Sequence, residues 1–375
     1  MSPNGRLGEG LTEFASLMQV HSVLPISSGR AALWGILRGL HRLRPDRVVV
    51  ALPSYLCFSV PASIIRARLR LYPVDVDPET LDFDFSQLEA IPGENLLCIL
   101  TSNLFGLVND LSRIQAIAQT KGAFMVDDAA QALGASRGAR LAGTGGDVGF
   151  YSFGRGKPLS AGEGGLIIAK SEDVTAAIRA ELDTLLPSPA SHSAWLFLQM
   201  LAYSVFLNPR LYWIPNSLPF LKLGVTEFAP DFPVRSLPGL VQALFPELLK
   251  GLLEFNRIRR KNAATITQAL AGSHCFSTPH PAADCQPTYI RFPVIAKDQS
   301  TRDLAVFHLR AAGIGASAFY PAAICDIAGI EPYMFPKDFH REQAEALSRR
   351  LLTLPTHPFV RHLDIDRMAE VLSRF

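Results

Sequence analysis

Short apolar runs alternate with stretches of helical spacing along the first third of the chain. Residues 48–52 and 69–74 are apolar and rich in branched side chains, and a stretch with apolar positions at helical spacing separates them. Strand, helix and strand at this distance predict a βαβ unit, which builds a parallel sheet. Residues 96–101 and 124–126 repeat the strand pattern, with a predicted helix at 114–119 between them. The first part of the chain is therefore predicted to be a sheet domain whose ligands gather at the carboxyl ends of its strands.

The last third of the chain has the pattern of a smaller mixed domain. One long helix is predicted at residues 244–270, and a strand at 289–295. Three further helices are predicted, at residues 301–312, 342–351 and 365–372. Together the two patterns predict an α/β fold, with a large, mostly parallel sheet domain at residues 1–247 and a small α+β domain at residues 248–375.

An uncharged, strongly apolar segment falls between these two patterns. Residues 194–207 carry no acidic or basic side chain, and apolar residues continue beyond Pro209 to position 221. A helix that spans a membrane needs about 20 apolar residues, so this run is too short to cross. It favours a helix buried in the core or in a dimer contact. The alternative is an interfacial element that rests on a membrane or on a lipid-linked substrate, with amphipathic rings at Trp195, Tyr203, Tyr212 and Trp213.

Composition excludes several classes of protein. The chain has 375 residues, of which 48% are hydrophobic and 19% are charged, as in ordinary globular proteins. Proteins that bind nucleic acid usually carry a concentrated basic patch, and a formal net charge of +2 does not indicate one. We therefore expect no nucleic-acid partner. The five cysteines are widely spaced and include no C-x-x-C pair, which predicts neither disulfides nor a metal site. A reducing cytoplasm is the expected location, since the first residues also lack the apolar core of a secretion signal.

One lysine lies in an unusual setting, among glycines and between two strand-like runs. Lys157 ends the run Y-S-F-G-R-G-K, and G-E-G-G follows at residues 162–165. Most lysines are solvated and glycine clusters usually mark turns, so a surface turn is one interpretation. The other is a catalytic amine, which needs partial burial or a neighbouring cation to lose its proton, and a cofactor as an electron sink. If that cofactor is pyridoxal phosphate, the site also needs a carboxylate for the ring nitrogen and donors for the phosphate.

Two other stretches of the sequence offer those groups. Asp127 and Asp128 follow the strand predicted at residues 124–126, and two carboxylates there are costly to bury unless a positive group meets one of them. We expect one aspartate to cap a helix or lie at the surface, and the other to meet a cofactor nitrogen. At residues 27–29, S-S-G opens a predicted helix whose free N–H groups and dipole favour phosphate. An ordinary helix cap is the alternative there.

Several motifs occur together in the order found in one enzyme family. They are S-G-R-A-A-L at residues 28–33, P-S-Y at 53–55 with D-V-D-P at 75–78, D-D-A-A-Q-A-L-G-A at 127–135, and S-F-G-R-G-K with G-E-G-G at 152–165. In these motifs the chain resembles the sugar aminotransferases of the DegT/DnrJ/EryC1/StrS family, and the likeness extends over nearly the whole chain. The resemblance implies the aspartate-aminotransferase fold, fold type I, with pyridoxal 5'-phosphate as cofactor.

The resemblance also implies roles for individual residues. Lys157 matches the lysine that forms a Schiff base with the cofactor, and Asp128 matches the carboxylate that pairs with the ring nitrogen. Gln131 corresponds to the residue near the phenolic oxygen of the cofactor. The phosphate cradle is matched by Gly29, by its neighbours Arg30 and Ala31, and by Ser152.

Two departures from the family pattern fall at the phosphate. Most relatives have threonine where this chain has Arg30. Two residues before Arg235, this chain has Pro233 in place of a common asparagine that reaches the neighbouring subunit's phosphate. A guanidinium binds phosphate in bidentate fashion, so Arg30 is expected to compensate for the donors lost at both positions.

Two more departures fall near the ring and the substrate. The family's stacking aromatic residue is replaced by Cys57, with Tyr55 and Phe58 beside it, and which of the three covers the ring is left open. Asn103 replaces a histidine that is common in relatives. The substrate pocket is therefore expected to differ from that of nucleotide-sugar enzymes.

The function that the resemblance implies is that of a homodimeric aminotransferase with active sites shared between subunits. It would transfer an amino group from an amino acid, with glutamate expected, to a keto-sugar that is carried on a nucleotide and serves polysaccharide or glycoconjugate synthesis. Sugar dehydratases of the same family have histidine at the lysine position, and Lys157 argues against that activity. The remaining alternative is a degenerate, non-catalytic scaffold or sensor at a membrane-associated polysaccharide complex, which Pro233, Asn103 and the apolar segment would suit.

Overall fold

A computed structural model describes residues 3–206, 228–336 and 339–375 of the chain. The strands are short and form three sheets. In chain order they are β1 (Val23–Ile26), β2 (Val49–Pro53), β3 (Arg70–Val74), β4 (Leu96–Leu100), β5 (Phe124–Asp128), β6 (Ser136–Arg137), β7 (Arg140–Leu141), β8 (Val148–Ser152), β9 (Gly165–Ala169), β10 (Phe276–Ser277), β11 (Cys285–Gln286), β12 (Phe292–Ala296) and β13 (Leu351–Leu354).

The largest sheet has seven strands in the order β1-β9-β8-β5-β4-β2-β3. Its strands β3, β2, β4, β5 and β8 are parallel to one another, whereas β9 is antiparallel to β8 and β1 is antiparallel to β9. Every residue of β2 and β4 is buried, as expected for parallel strands that are covered on both faces. The predicted α/β fold with a mostly parallel sheet is confirmed.

Helices cover both faces of this sheet. They are α1 (Pro3–Met18), α2 (Gly29–Leu43), α3 (Ser59–Arg66), α4 (Phe85–Ala90), α5 (Leu111–Thr120), α6 (Glu172–Leu182), α7 (Ala190–Phe206) and α8 (Gly239–Lys250). Ile36 of α2 and Ile178 of α6 belong to one buried apolar cluster, and Phe14 of α1 and Phe245 of α8 belong to another. Successive strand residues alternate between the two clusters, because successive side chains of a strand point to opposite faces.

A third apolar cluster lies around the three-stranded sheet β10-β12-β13. The helices that contribute to it are α9 (Leu252–Leu270), α10 (Gln299–Ala311) and α12 (His362–Leu372), and α11 (Glu342–Arg350) packs against α10. This cluster agrees with a small α+β unit at the end of the chain. The boundary predicted after residue 247 falls inside α8 and stays a prediction.

Two details of the sequence prediction are wrong. The long helix predicted at residues 244–270 is two helices, which meet at Gly251, where the backbone N–H bonds to the carbonyl of Leu249. Glycine is a weak helix former, and the break falls at this residue. The strand predicted from residue 289 begins at Phe292, because Tyr289 has a φ of 45°, which lies outside the extended region.

Candidate functional site

The carboxyl ends of β5 and β8 open onto a cavity of about 750 Å³, next to the first turn of α2. Ligands of open α/β sheets bind at such an edge. The structure brings together here almost all of the site residues predicted from the sequence. The lining includes Gly29, Arg30, Cys57, Asp128, Gln131, Ser152 and Lys157. Ala31 is the exception, since it is fully buried and its N–H donates to the hydroxyl of Ser28 at 3.1 Å.

Lys157 lies in the loop between β8 and β9, on the wall of the cavity. The loop turns through the left-handed backbone region at Gly156, with a φ of 74°, and again at Gly162 and Gly164, which explains its glycines. The lysine side chain is half-buried, and its amino group makes no hydrogen bond or ion pair with the residues that the structure describes. An amine held in a cavity without a partner is free to react with a ligand there.

Asp128 is the last residue of β5 and faces the same cavity. Its carboxylate oxygen Oδ1 accepts one hydrogen bond, from the N–H of Ala130 at 2.8 Å. Burial raises the pKa of Asp128 to about 6, although the Ala130 N–H and the charge of Lys157 act in the opposite direction. This is the electrostatic setting of a carboxylate that gains from meeting a protonated ring nitrogen.

Asp127, one residue earlier, faces away from the cavity and is fully buried. Its carboxylate accepts four hydrogen bonds, at distances between 2.8 and 3.2 Å. The donors are the Thr101 hydroxyl, the Asn103 amide, and the backbone N–H groups of Gly143 and Gly145. Burial raises the pKa of Asp127, and these hydrogen bonds oppose the rise. The prediction that one aspartate caps a helix or lies at the surface is therefore wrong, because strand alternation turns Asp127 into the core.

Asn103 does not line the cavity, contrary to the expectation that it changes the substrate pocket. It is buried behind the two aspartates, and its Nδ2 donates to the Asp127 carboxylate at 2.8 Å and to the Asp128 carbonyl at 2.7 Å. Its Oδ1 accepts the N–H of Asn109 at 3.0 Å. Asn103 thus fixes the carboxyl end of β5.

Gln131 is held in place from both sides of its amide. Its Oε1 accepts the N–H of Phe105 at 3.0 Å, and its Nε2 donates to the hydroxyl of Tyr320 at 2.9 Å. Tyr320 is buried, and burial raises its pKa well above the ordinary value, with Cys57 beside it adding to the shift. Sequence reasoning gave Tyr320 no role in the site, although it lies within the region of resemblance.

The first turn of α2 forms the third side of the site. Ser28 caps the helix, and its hydroxyl accepts only the N–H of Ala31 among the described residues. A Cβ atom at Gly29 would lie 2.7 Å from the Cβ of Ser152, so only glycine lets β8 and this helix approach so closely. The approach places the Ser152 hydroxyl beside the helix N-terminus, where an anion is favoured.

Arg30 also lines the cavity and is stacked on an aromatic ring. Its guanidinium lies 4.9 Å from the centroid of Phe232, and Arg66 lies at the same distance from that ring. Burial lowers the pKa of Arg30, whereas the neighbouring Cys57 and Glu163 raise it. Pro233 and Arg235 follow in the same wall, and Ser27 and Arg235 exchange two hydrogen bonds that fix this segment beside α2.

The remaining wall comes from α7, which sequence reasoning did not place at the site. The inner face of this helix contributes His192, Leu196, Gln199 and Met200 to the cavity. The His192 Nε2 lies 2.8 Å from the Oε2 of Glu163, in the loop that follows Lys157. The signal in the sequence was the pair His192 and Gln199, seven positions apart and so on one face of a helix that carries no acidic, lysine or arginine side chain.

The opposite face of α7 is exposed and apolar. Trp195 is 58% exposed, and Phe197, Leu198 and Leu201 are each more than half exposed. The expectation of a helix buried in the core is therefore wrong for this face, whereas its burial in a dimer contact stays a prediction. Among the described residues, no helix combines the length and apolar character that a bilayer crossing requires. The predicted positions from 207 to 221, with Tyr212 and Trp213, lie outside the described residues, as does the side chain of Tyr203.

Comparison with known proteins agrees with this geometry. The model of the DegT/DnrJ/EryC1/StrS aminotransferase family matches residues 10–186 and 239–373. The chain is 27% identical to a UDP-N-acetyl-3-dehydro-alpha-D-glucosamine 3-aminotransferase of Acidithiobacillus ferrooxidans, over 99% of this chain and 89% of the relative. It is 25% identical to a GDP-perosamine synthase of Caulobacter vibrioides, over 96% of this chain and 87% of the relative.

The fold is also that of a solved structure, S. venezuelae DesV in complex with a ketimine intermediate. The TM-score is 0.78 at 22% identity, with 98% of this chain and 88% of that chain covered. Since the family model matches most of the sequence, the chain belongs to the DegT/DnrJ/EryC1/StrS aminotransferase family, whose cofactor is pyridoxal phosphate.

Proposed function

We propose that this enzyme transfers an amino group from an amino acid, with glutamate the expected donor, to a keto-sugar carried on a nucleotide. The observation that carries the proposal is the position of Lys157 and Asp128 on the walls of one cavity of about 750 Å³. The named relatives support the sugar as acceptor, since one is a UDP-sugar 3-aminotransferase and another a GDP-perosamine synthase.

The residues present fit pyridoxal phosphate. The donor set combines an amine with no partner among the described residues, a buried carboxylate that accepts one hydrogen bond from them, and the open first turn of α2 beside Ser152. The glycine at position 29 keeps that turn accessible, since a Cβ atom there would meet Ser152. An aldehyde, a pyridine nitrogen and a phosphate find complementary groups at these three places.

When bound, the cofactor supplies the electron sink that accepts the electron pair of the donor's broken Cα–H bond. Lys157 would hold the cofactor through its amine. Once the amino donor has displaced that amine, Lys157 would be free to take the proton from the donor α-carbon and return it at C4'. Asp128, ionised at neutral pH with a pKa of about 6, keeps a proton on the ring nitrogen. Gln131, fixed by Phe105 and Tyr320, would offer its amide to the phenolic oxygen of the bound cofactor.

Arg30 is proposed to bind the cofactor phosphate together with Gly29 and Ser152. Its stacking on Phe232 holds the guanidinium at the cavity wall before a ligand arrives, which reduces the conformational entropy lost on binding. Pro233 offers no side-chain donor, so a bidentate arginine replaces donors that the family pattern supplies elsewhere. Cys57 is proposed to face the ring, where relatives carry an aromatic residue.

Three further features belong to the same proposal. They are a homodimer with shared sites, a cytoplasmic location, and a place in polysaccharide or glycoconjugate synthesis. The scaffold alternative gains no support, since the relatives described above are named as enzymes and the chain keeps Lys157 and Asp128 in one cavity.

A half-reaction screen tests the proposal. The protein is loaded with pyridoxamine phosphate, and nucleotide-linked keto-sugars are added one at a time while the absorbance of the aldehyde form is followed. We expect one sugar class to restore that absorbance, and the Lys157→Ala variant to fail to turn over. A protein that binds the cofactor but responds to keto acids alone would refute the sugar substrate.

A further inference from the structure

The exposed face of α7 is apolar, as is typical of surfaces that bind a partner or a membrane. Its four large side chains, Trp195, Phe197, Leu198 and Leu201, are each more than half exposed. Each presents on the order of 100 Å², so together they form an apolar patch of about 400 Å². Patches of this size on a soluble protein mark interaction sites more often than chance exposure. The patch, hereafter the α7 outer face, therefore needs an occupant.

The α7 outer face lies in a stretch of the chain that the family model leaves unmatched. The family model matches up to residue 186 and resumes at residue 239, and α7 lies between these limits.

The size of the α7 outer face distinguishes two occupants. A stable protein interface buries about 800 Å² on each partner, roughly twice what this face offers alone. A helix at a membrane interface needs less, because it inserts only its apolar side among the lipid headgroups and gains further from tryptophan at that depth. The area favours a lipid surface over a second copy of the chain.

The charge pattern of the segment points the same way. Residues 187–226 of the sequence contain no aspartate or glutamate, and their only charged residues are Arg210 and Lys222. In the described part, 187–206, no charged lysine, arginine or acid interrupts the apolar surface. An apolar, aromatic segment that has no acidic residue and a net charge of +2 meets no charge repulsion at an anionic bilayer.

We propose that the α7 outer face docks this enzyme on the surface of an anionic lipid bilayer. The helix then lies in the plane of the interface and does not cross it. Its inner face keeps His192, Leu196, Gln199 and Met200 in the cavity. Since a helix with its side chains is about 10 Å wide, the cavity lies within about one helix diameter of the lipid headgroups. The proposal does not depend on which sugar is aminated.

The test uses the full-length protein loaded with cofactor, and sedimentation with vesicles of phosphatidylethanolamine and phosphatidylglycerol. The test variant is Phe197→Ser, Leu198→Ser, Leu201→Ser. A matched control is Leu304→Ser, Phe307→Ser, Leu363→Ser, which removes one phenylalanine and two leucines from exposed positions elsewhere. We expect the wild type and the control to sediment with vesicles, and the test variant to bind at least about tenfold more weakly.

Two further measurements keep the outcome decisive. Light scattering of each protein in solution reports its oligomeric state, which the test variant should leave unchanged. The single change Trp195→Glu serves as a second variant if the triple change prevents folding, and it should also abolish sedimentation. Transamination of a soluble substrate should persist in both, since none of these side chains lines the cavity.

The proposal is overturned if the wild type does not sediment with vesicles, or if the control loses binding as much as the test variant does. It is equally overturned if the test variant keeps its vesicle binding but changes its oligomeric state. In that last case the α7 outer face is an interface between copies of the chain.

Discussion

The cavity has two walls that come from different parts of the chain. One wall holds the residues proposed for the chemical step, and the other holds residues expected to contact the substrate. The strand-end wall, with Asp128, Ser152 and Lys157, lies in the part of the chain that the family model matches. The α7 wall, with His192 and Gln199, lies between residues 187 and 238, outside that match. The first wall carries groups that any transamination needs. We expect the second to contact the substrate.

The two walls also differ in how firmly they are held. Behind the strand-end wall, Asp127 accepts four hydrogen bonds in the core, and Asn103 ties it to the Asp128 carbonyl. Among the described residues, the α7 wall makes a polar contact with the strand-end wall through the His192–Glu163 pair. Each of these side chains is about one-third exposed. Exposed pairs contribute little to stability. We therefore expect changes in the first wall to have larger effects than changes in the second.

The largest effect is expected from Lys157→Ala. Without the amine, no side chain in the cavity moves the proton between the donor and the cofactor, so turnover should fall at least about 10,000-fold. The measurement is single-turnover absorbance after addition of the amino donor. Lys297→Ala, which removes an exposed lysine far along the chain, is the control and should leave the rate unchanged. A Lys157→Ala enzyme with substantial turnover would place the proton transfer elsewhere.

The pair Asp128→Asn and Asp127→Asn should separate function from stability. Asp128→Asn removes the charge that keeps the ring nitrogen protonated, so turnover should fall about 1,000-fold. Asp127→Asn replaces an oxygen that accepts two backbone N–H groups with a donor, so unfolding should become easier by about 2–3 kcal/mol. Denaturant titrations and turnover rates of both variants check this. If the two variants behaved alike, the assignment of Asp127 to the core and Asp128 to the site would be wrong.

Asp128 also predicts a dependence of stability on pH. In the cofactor-free protein its folded-state pKa is about 6, above the ordinary 3.8, so its protonated form favours folding below pH 4. This contribution is lost as pH rises through 6, at a cost of about 3 kcal/mol. Asp128→Asn should therefore stabilise the cofactor-free protein by up to that amount at pH 8, and by nothing at pH 4. An unchanged free energy of unfolding at pH 8 would contradict the raised pKa.

A smaller effect is expected from Arg30→Ala. Loss of a charge-assisted contact to phosphate should raise the dissociation constant of pyridoxal phosphate about tenfold or more. Equilibrium absorbance titration of the cofactor measures it. Arg66→Ala is the matched control, because Arg66 stacks on the same Phe232 ring but does not line the cavity. Equal affinities of the wild type and Arg30→Ala would remove Arg30 from the phosphate site.

The smallest effect is expected in the α7 wall. His192→Ala frees the Glu163 side chain, and we expect KM for the keto-sugar to rise a few-fold with kcat little changed. His192→Gln keeps a donor near the Nε2 position and should restore most of the KM. A large fall in kcat, without rescue by glutamine, would instead place His192 in the chemical step.

The strand-end wall could be predicted from the sequence because its signals are local and ordered. The strand periodicity placed residues 124–126 in the sheet, and the motif around Lys157 supplied the amine. Asp128 and Lys157 are 29 positions apart in the sequence, yet both follow the rule that ligands bind at carboxyl strand ends. The same rule could not assign Asp127, because the direction of each side chain depends on the strand's exact register.

The α7 wall could not be predicted, because the sequence of an apolar helix does not show which of its faces packs against the rest of the protein. The sequence showed an uncharged run at residues 194–207, which favours a helix buried in the core or in a dimer contact but also suits an interfacial one. The orientation of the helix is seen only in the structure, where Leu196 packs against the rest of the protein and Trp195 is exposed. His192 and Tyr320 were missed for the same reason, since their roles arise from contacts with residues distant in the sequence.

Transamination by this chain depends on Lys157 as the amine that binds the cofactor. The most direct measurement is to load the protein with pyridoxal phosphate, reduce it with borohydride, and map the modified peptide by mass spectrometry. We expect a phosphopyridoxyl group on Lys157 alone, together with the loss of a visible absorbance band. A label on another lysine, or no label in a protein that still transaminates, would contradict it.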